Sequence, residues 1–199
     1  MLELLNNPIS TCSQKVRLTL HEKGLEFTDT RIDFRKKEHL TQDYLAINPD
    51  GVVPSLLHDG RPVLDSSVIM EYLDEVFPEV PLSPFSAYHK ARRRKWLRFI
   101  EEVPTVAIRI PSFHQVFVRH RKNLSDEDLA KDTDARTLRR TFYREMGRDG
   151  FSDARLQESY DRLSETVTRM DKALADHEWL CGDLSLADFC VVPTIDRMR

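Results

Sequence analysis

The first third of the chain alternates short apolar runs with amphipathic ones. The apolar run at 2–5 predicts a strand, and the amphipathic stretch after it ends at Gly24, a typical C-terminal residue of a helix. Alternation of apolar and polar residues over 27–32 predicts a second strand, and the residues at 40–47 predict a short helix. Strand and helix patterns therefore follow one another from the start of the chain.

Two further strands and a helix complete this part of the pattern. The runs at 53–57 and 61–64 flank the turn residues 58–60, which predicts a β-hairpin. From Ser66 onward, one helical face collects the apolar residues Val68, Ile69, Tyr72, Leu73 and Val76. The predicted order is β-α-β-α-β-β-α, which is an α/β layer.

The remainder of the chain predicts helices. One helix carries an apolar stripe and stops at Pro104, a long helix follows a cap at Ser152, and another begins at a capping box formed by Ser185 and Asp188. The segment 115–150 is highly charged and only weakly periodic, so it predicts no definite element.

These patterns divide the chain into an α/β domain over 1–78, a linker over 79–84 and an all-helical domain over 85–199. The linker follows from three prolines between residues 78 and 84. Because the last helical pattern is still short where the sequence stops, we expect further helices at the C-terminus of the full protein.

Composition excludes several classes of protein. The 199 residues carry a formal net charge of -3, which does not favour nucleic-acid binding. No apolar run approaches the roughly 18 residues of a membrane helix, and no signal peptide is recognisable. Three cysteines without close pairing indicate a reduced, cytoplasmic setting, and seven histidines lack the spacing of a metal site. We therefore expect no nucleic acid, membrane or metal partner.

The residues Ser10, Thr11, Cys12 and Ser13 lie where the first strand hands over to the first helix. Unpaired N–H groups and the helix dipole favour an anion at such a place, and a thiolate there ionises more easily. The alternative is a well-capped helix in which Cys12 is a small buried hydrophobe. A Cys-x-x-Cys redox pair is excluded because Lys15 occupies the fourth position.

Two other segments carry candidate chemistry. Pro54 precedes a strand, and either it is an ordinary edge-strand proline or a cis Val53-Pro54 bond leaves the backbone of Val53 free to pair with a peptide ligand. Ser66 is a candidate N-cap that binds a carboxylate, with Asp65 beside it for an ammonium group. The alternative at Asp65-Ser66 is a helix cap without a ligand.

Together the segments resemble the glutathione S-transferase family along the whole chain. The motif at 10–17 is similar to the Ser-x-Cys-Ser-x-x-x-Arg signature of zeta-like and bacterial members. The segment 48–54 resembles the cis-proline turn of the family, and Asp65-Ser66 resembles its acidic residue-serine pair. The segment 182–189 resembles the folding signature of the helical domain. The resemblance implies a thioredoxin-like N-terminal domain followed by an all-α domain.

The resemblance also implies glutathione as the cosubstrate and assigns residues to it. Ser10 falls where serine-dependent members place the hydroxyl that binds the sulfur, and Cys12 is a second catalytic candidate. The implied glutathione-binding residues are Thr11, His39, Val53, Pro54, Asp65 and Ser66. Val52 departs from the family pattern, in which Lys or Gln donates a hydrogen bond at this position. Lys36 and Lys37 are candidates to replace that donor.

The implied activity is a glutathione transferase in which the thiol attacks a hydrophobic, electrophilic, aromatic substrate. The start of the chain and its charged insert, residues 115–150, resemble bacterial enzymes that cleave β-aryl ethers. This resemblance implies a role in aromatic degradation or detoxification. Reductive dehalogenation or cis-trans isomerisation at Cys12 and Ser10 stays open, as does a binding protein without catalysis. His114 and His120 are candidates for the acceptor pocket. The family usually forms homodimers, which we expect here.

Overall fold

The structure, a computed structural model, describes residues 1–83 and 86–198. The predicted end of the linker at Pro84, the predicted start of the helical domain at Phe85, and Arg199 lie outside the described residues. The proposed division of the chain into domains stays a prediction.

A mixed sheet of four strands forms the N-terminal part, in the order β2-β1-β3-β4. The strands are β1 (Leu2–Asn6), β2 (Thr28–Arg31), β3 (Ser55–His58) and β4 (Arg61–Leu64). β1 pairs in parallel with β2 and antiparallel with β3, and β3 pairs antiparallel with β4. The hairpin turns through Asp59 and Gly60, whose φ angles of 50° and 77° suit a tight turn between twisted strands. β3 begins two residues later than predicted because Pro54 has no N–H for the ladder.

Helices occupy both the first part and the rest of the described chain. The α/β part contains α1 (Thr11–Glu22), α2 (Gln42–Ile47), which follows a 3-10 turn at Glu38–Leu40, and α3 (Ser66–Val76). The helices beyond it are α4 (Ala87–Glu102), α5 (Pro104–Arg121), α6 (Asp126–Asp134), α7 (Arg140–Met146), α8 (Asp153–Leu174) and α9 (Leu186–Arg197). The predicted α/β layer followed by helices is confirmed. Within the described ranges, no helix is both long and apolar enough to cross a membrane.

The main core lies against one face of the sheet. Leu4 and Leu56 project from the sheet, and α1 and α3 cover them. The outer sides of these two helices pack against α4 and α9. Fully buried aliphatic residues fill the layer between them, among them Val16, Leu20, Ile69, Leu73, Ile100 and Leu186. The catalytic candidates at the start of α1 therefore stand on a rigid support.

Three helices begin at caps that the sequence predicts. Ser10 and Ser152 accept hydrogen bonds from the backbone of their own first turns, at 3.3 Å from the Ser13 amide and 3.2 Å from the Arg155 amide. Ser185 caps α9, and the carboxylate of Asp188 accepts from the Ser185 amide at 3.0 Å, so the predicted capping box is confirmed.

The charged insert is ordered around one buried carboxylate, that of Asp132. Its oxygens lie 2.9 Å from an Arg121 guanidinium nitrogen, 2.7 Å from Lys37 Nζ and 3.0 Å from Arg136. Burial alone would raise the pKa of Asp132, but Lys37 and Arg136 hold it below its usual value. The insert is thus joined to the N-terminal part by charge, which a search for hydrophobic periodicity cannot detect.

Candidate functional site

Two adjoining cavities lie where the ends of the sheet elements meet α5 and α7. The first cavity measures about 140 Å³ and the second about 260 Å³. Both are lined by Cys12, Val52, Val53, Arg109 and Arg139. Ser10, Thr11 and His39 line the first, whereas Pro54, Asp65 and Ser66 line the second. The eight residues predicted to be catalytic or to bind glutathione therefore surround one connected region.

Ser10 presents a hydroxyl with a free proton to the first cavity. Its Oγ accepts from the Ser13 amide at 3.3 Å, which uses one acceptor position and fixes the oxygen at the start of α1. A hydroxyl also has one donor, and Ser10 Oγ donates to no group among residues 1–83 and 86–198. The first turn of α1 contains no acidic residue, so nothing there offsets the positive end of the helix dipole.

The side chains of Tyr44 and Asn48 fix the turn at Val52–Pro54 through hydrogen bonds. The carbonyl of Val52 accepts from the Tyr44 hydroxyl at 2.6 Å and from the Asn48 amide at 2.9 Å. The Val53-Pro54 peptide bond is cis. The backbone N–H and C=O of Val53 make none of the hydrogen bonds found in the described chain, so both are available to a ligand.

Asp65, and not Ser66, is the N-cap of α3. The prediction that Ser66 caps the helix is wrong by one residue. The Asp65 carboxylate accepts from the amides of Ser67 at 3.0 Å and Val68 at 3.2 Å, while Ser66 is already helical. Asp65 adopts a φ of 69°, a conformation that aspartate tolerates better than most residues. Ser66 is buried at the first turn and contributes to the wall of the second cavity.

His39 is a neutral, buried side chain on the wall of the first cavity. Its Nε2 lies 2.8 Å from an Arg136 guanidinium nitrogen and must therefore accept, which places the ring proton on Nδ1. That Nδ1 is buried without a hydrogen-bond partner in the described chain. Burial, with Arg136 and Arg139 nearby, lowers the pKa of His39 to about 4. Arg136 thus keeps N–H groups suited to a carboxylate in the cavity, whereas the Nδ1–H of His39 is enclosed by protein.

The low pKa of His39 predicts a specific acid sensitivity. The unfolded chain takes up a proton near the ordinary value of 6.5, whereas the folded chain does so only near 4. Stability is therefore lost as the pH falls from 6.5 to 4, by about 3 kcal/mol. Urea unfolding of a His39→Gln variant is expected to show a smaller acid loss than the wild type. An exposed control, His120→Gln, is expected to keep the full loss, and equal slopes for all three proteins would contradict the assignment.

The buried ammonium group of Lys15 joins α1 to α4 and α5. Lys15 is fully inaccessible, and its Nζ lies 2.8 Å from the Glu101 carboxylate and 2.9 Å from the Thr105 hydroxyl. Burial alone would lower the pKa of Lys15, but the acidic groups of Cys190, Cys12 and Glu101 keep it above its usual value. Burial also raises the pKa of the Cys190 thiol. Lys15 therefore remains a cation in the protein interior, on the buried side of α1.

Sequence reasoning missed the arginines of the cleft. Arg109 on α5 and Arg139 at the start of α7 line both cavities, and Arg136 lines the first. A signal for Arg109 existed, because the face of α5 that lines the first cavity has helical spacing through Thr105, Ile108, Arg109, Ser112, Phe113, Val116 and Phe117. The weak periodicity after residue 115 concealed it.

Four other candidates lie elsewhere. His114 accepts from the Phe151 amide at 3.1 Å and, like the exposed His120, does not line either described cavity. Lys37 is paired with Asp132, and Lys36 is also absent from both cavity walls. Arg136, and neither of these lysines, lines the first cavity together with Val52.

No cluster of histidine, cysteine or carboxylate side chains in the described part of the chain could hold a metal ion. Cys12, Cys181 and Cys190 are all free thiols.

Residues 9–76 match the family model "Glutathione S-transferase, N-terminal domain". The chain is 31% identical over 183 residues to Protein LigF of Sphingobium sp. (strain NBRC 103272 / SYK-6), an alignment that covers 89% of this chain and 71% of that protein. The crystal structure of beta-etherase LigF from Sphingobium sp. strain SYK-6 superposes with a TM-score of 0.89 at 30% identity, covering 98% of this chain and 82% of the other.

Two other relatives are similar over different extents. Glutathione S-transferase 1 of Dianthus caryophyllus is 45% identical over 83 residues, which is 42% of this chain and 38% of that protein. A glutathione transferase homologue from Sulfitobacter, crystallised with bound glutathione, has a TM-score of 0.71 at 21% identity over 98% of this chain and 81% of the other. The second likeness is one of fold.

Proposed function

The chain belongs to the glutathione S-transferase family, and from that premise we propose that it binds glutathione in the two cavities and transfers it to an aromatic electrophile. Two relatives support transferase activity: one is named glutathione S-transferase 1, and the other is named a beta-etherase. We further propose cleavage of β-aryl ethers as the reaction.

One observation carries the proposal for glutathione. Three segments far apart in sequence, around Ser10, Val53 and Asp65, line two cavities that adjoin. Each offers what one part of the tripeptide needs: a hydroxyl donor for the sulfur, a free backbone N–H and C=O for the cysteinyl unit, and a carboxylate for the γ-glutamyl ammonium. Arg136, which the buried His39 contacts at 2.8 Å, offers donors for the glycyl carboxylate.

The proposed role of Ser10 is to stabilise the thiolate. A hydrogen bond to the charged form lowers the pKa of the thiol, because it favours sulfur as an anion. The start of α1 adds its dipole, which favours an anion at the same place. Glutathione is then the nucleophile, and the protein supplies no covalent intermediate.

In the proposed ether cleavage, the thiolate sulfur forms a bond to the carbon that carries the aryloxy group. The carbon–oxygen bond breaks, and its electron pair leaves with the phenolate, which takes a proton from water. No oxidant or reductant is consumed. The aromatic side chains Phe113, Phe117 and Phe142 on the cavity walls suit such a substrate.

A second candidate is thiol–disulfide exchange at Cys12, as reductive dehalogenation would require. The observation that favours it is the position of the half-buried Cys12 thiol on the walls of both cavities. In that reaction the Cys12 thiolate would attack the sulfur of a glutathione adduct, forming a mixed disulfide while the carbon–sulfur bond breaks and the carbon takes a proton. A second glutathione thiolate would then attack the glutathione sulfur, releasing glutathione disulfide and the Cys12 thiolate.

A test combines binding and turnover. Calorimetric titration is expected to show glutathione binding, and a β-aryl ether ketone with glutathione is expected to release phenol. A Cys12→Ser variant is expected to keep phenol release, whereas accumulation of a glutathionylated product would favour the exchange reaction. Absence of binding at millimolar glutathione would overturn both candidates, and binding without phenol release would overturn the ether cleavage alone.

We also propose that the protein is a cytoplasmic homodimer with a role in aromatic degradation or detoxification. The support is the family membership, together with the free thiols of all three cysteines.

A further inference from the structure

Two guanidinium groups project into the cleft without a counterion. Among residues 1–83 and 86–198, neither Arg109 nor Arg139 makes a side-chain hydrogen bond or an ion pair. The other two arginines of the first cavity are engaged, Arg136 with Asp132 and His39, and Arg197 with the carbonyl of Ile9.

The carboxylates near these two arginines do not neutralise them. Glu101 on the wall of the second cavity is paired with Lys15, and Asp65 caps α3. Asp50 is the carboxylate on the wall of the first cavity, and it is exposed to solvent. The region shared by the two cavities is therefore positive.

The lowered pKa of Arg109 indicates that its positive charge is not fully balanced by the protein. Burial, followed by repulsion from Arg139, lowers the pKa of Arg109 to about 10. Both arginines are half-buried, so an anion between them would be partly removed from water and would interact more strongly than at an open surface.

Aromatic side chains surround the same place. Phe113, Phe142 and Tyr143 form edge-to-face contacts at centroid distances between 5.1 and 5.9 Å. The Arg109 guanidinium carbon lies 6.0 Å from the centre of the Phe142 ring. Arg109 and Phe113 lie one turn apart on α5, and Phe142 follows Arg139 by three residues. The cleft thus offers an apolar, aromatic wall with two cations at its edge.

We propose that the acceptor substrate is an aromatic electrophile that carries a carboxylate, and that Arg109 and Arg139 bind this carboxylate. The ring packs against the aromatic wall, and the two guanidinium groups fix its orientation toward the sulfur. This inference rests on the proposed transferase function. Because Arg109 and Arg139 lie outside the three segments assigned to the sulfur, the cysteinyl backbone and the γ-glutamyl end, we assign them to the acceptor.

The test compares two acceptors of similar shape, the anionic 4-chloro-3-nitrobenzoate and the neutral 4-chloro-3-nitrobenzamide, each with saturating glutathione and each corrected for its uncatalysed rate. The wild type is expected to prefer the benzoate in kcat/KM by about tenfold or more. Arg109→Gln and Arg139→Gln are each expected to remove most of this preference through the benzoate alone, without changing the KM for glutathione. Arg119→Gln, an exposed arginine on the same helix, is expected to keep the preference.

Binding of the unreactive 4-nitrobenzoate and 4-nitrobenzamide, measured by calorimetry with the same variants, separates this inference from the transferase proposal. Preferential benzoate binding that both variants lose supports the anion site even if no acceptor turns over. Equal handling of acid and amide by the wild type would overturn it. A rise in the KM for glutathione, with the acid preference kept, would also overturn it because the arginines would then serve the tripeptide.

Discussion

Replacing Ser10 by alanine is expected to lower kcat/KM for glutathione transfer roughly 100-fold, the usual cost of losing one donor to a developing or stabilised anion. The free hydroxyl proton of Ser10 is the donor that the start of α1 offers to sulfur. Without it, the thiol of bound glutathione would ionise at higher pH. The rising limb of the pH–rate profile is therefore expected to move to higher pH in the variant.

The Ser10→Ala variant also loses a helix cap, worth about 1 kcal/mol, and that effect needs its own controls. Ser10→Gly keeps most of the capping free energy but has no hydroxyl, so it is expected to be as inactive as alanine. Ser152→Ala removes the cap of α8, away from the cleft, and is expected to lose stability without losing activity. Full activity in Ser10→Gly would refute the role of the hydroxyl.

Replacing Glu101 by glutamine is expected to destabilise the fold by about 3 to 5 kcal/mol, because it leaves the Lys15 ammonium buried without its counterion. The glutamine oxygen and the Thr105 hydroxyl can still accept from that nitrogen, but neither supplies a negative charge. The free energy of unfolding, measured with urea, reports the loss directly.

Two variants separate charge burial from simple damage to α4. Glu102→Gln changes the next, exposed residue and is expected to shift stability by less than about 0.5 kcal/mol. The double variant Lys15→Met with Glu101→Leu removes both charges and is expected to recover most of the loss, since a buried ion pair is often replaceable by apolar residues. A loss in the double variant as large as in Glu101→Gln would contradict the account.

The hairpin of the α/β part and several helix starts along the chain were predictable because their signals are local. The hairpin turn, the caps at Ser10 and Ser152, and the capping box at Ser185 each depend on residues within a few positions of one another. The error at Ser66 has the same origin. Asp65 and Ser66 are both good caps, and only the backbone conformation of Asp65 decides between them.

The acceptor side of the cleft was not predictable because its stabilising contacts are distant in sequence and polar. Asp132 holds α6 in place through Lys37 and Arg121, and neither partner can be recognised from periodicity. Arg109 looks like an ordinary surface arginine in the sequence unless the helical spacing of α5 is followed past residue 115. Its position in the cleft follows from the packing of α5 against α8 and α4, which no short motif encodes.

The central claim is that the Ser10 hydroxyl binds the sulfur of glutathione, and a crystal structure of the wild-type protein soaked in glutathione tests it most directly. The expected result is the sulfur within about 3.5 Å of Ser10 Oγ, with the cysteinyl backbone paired to Val53. A sulfur bonded to Cys12, or one that lies away from Ser10 with the tripeptide bound in the cleft, would contradict the claim.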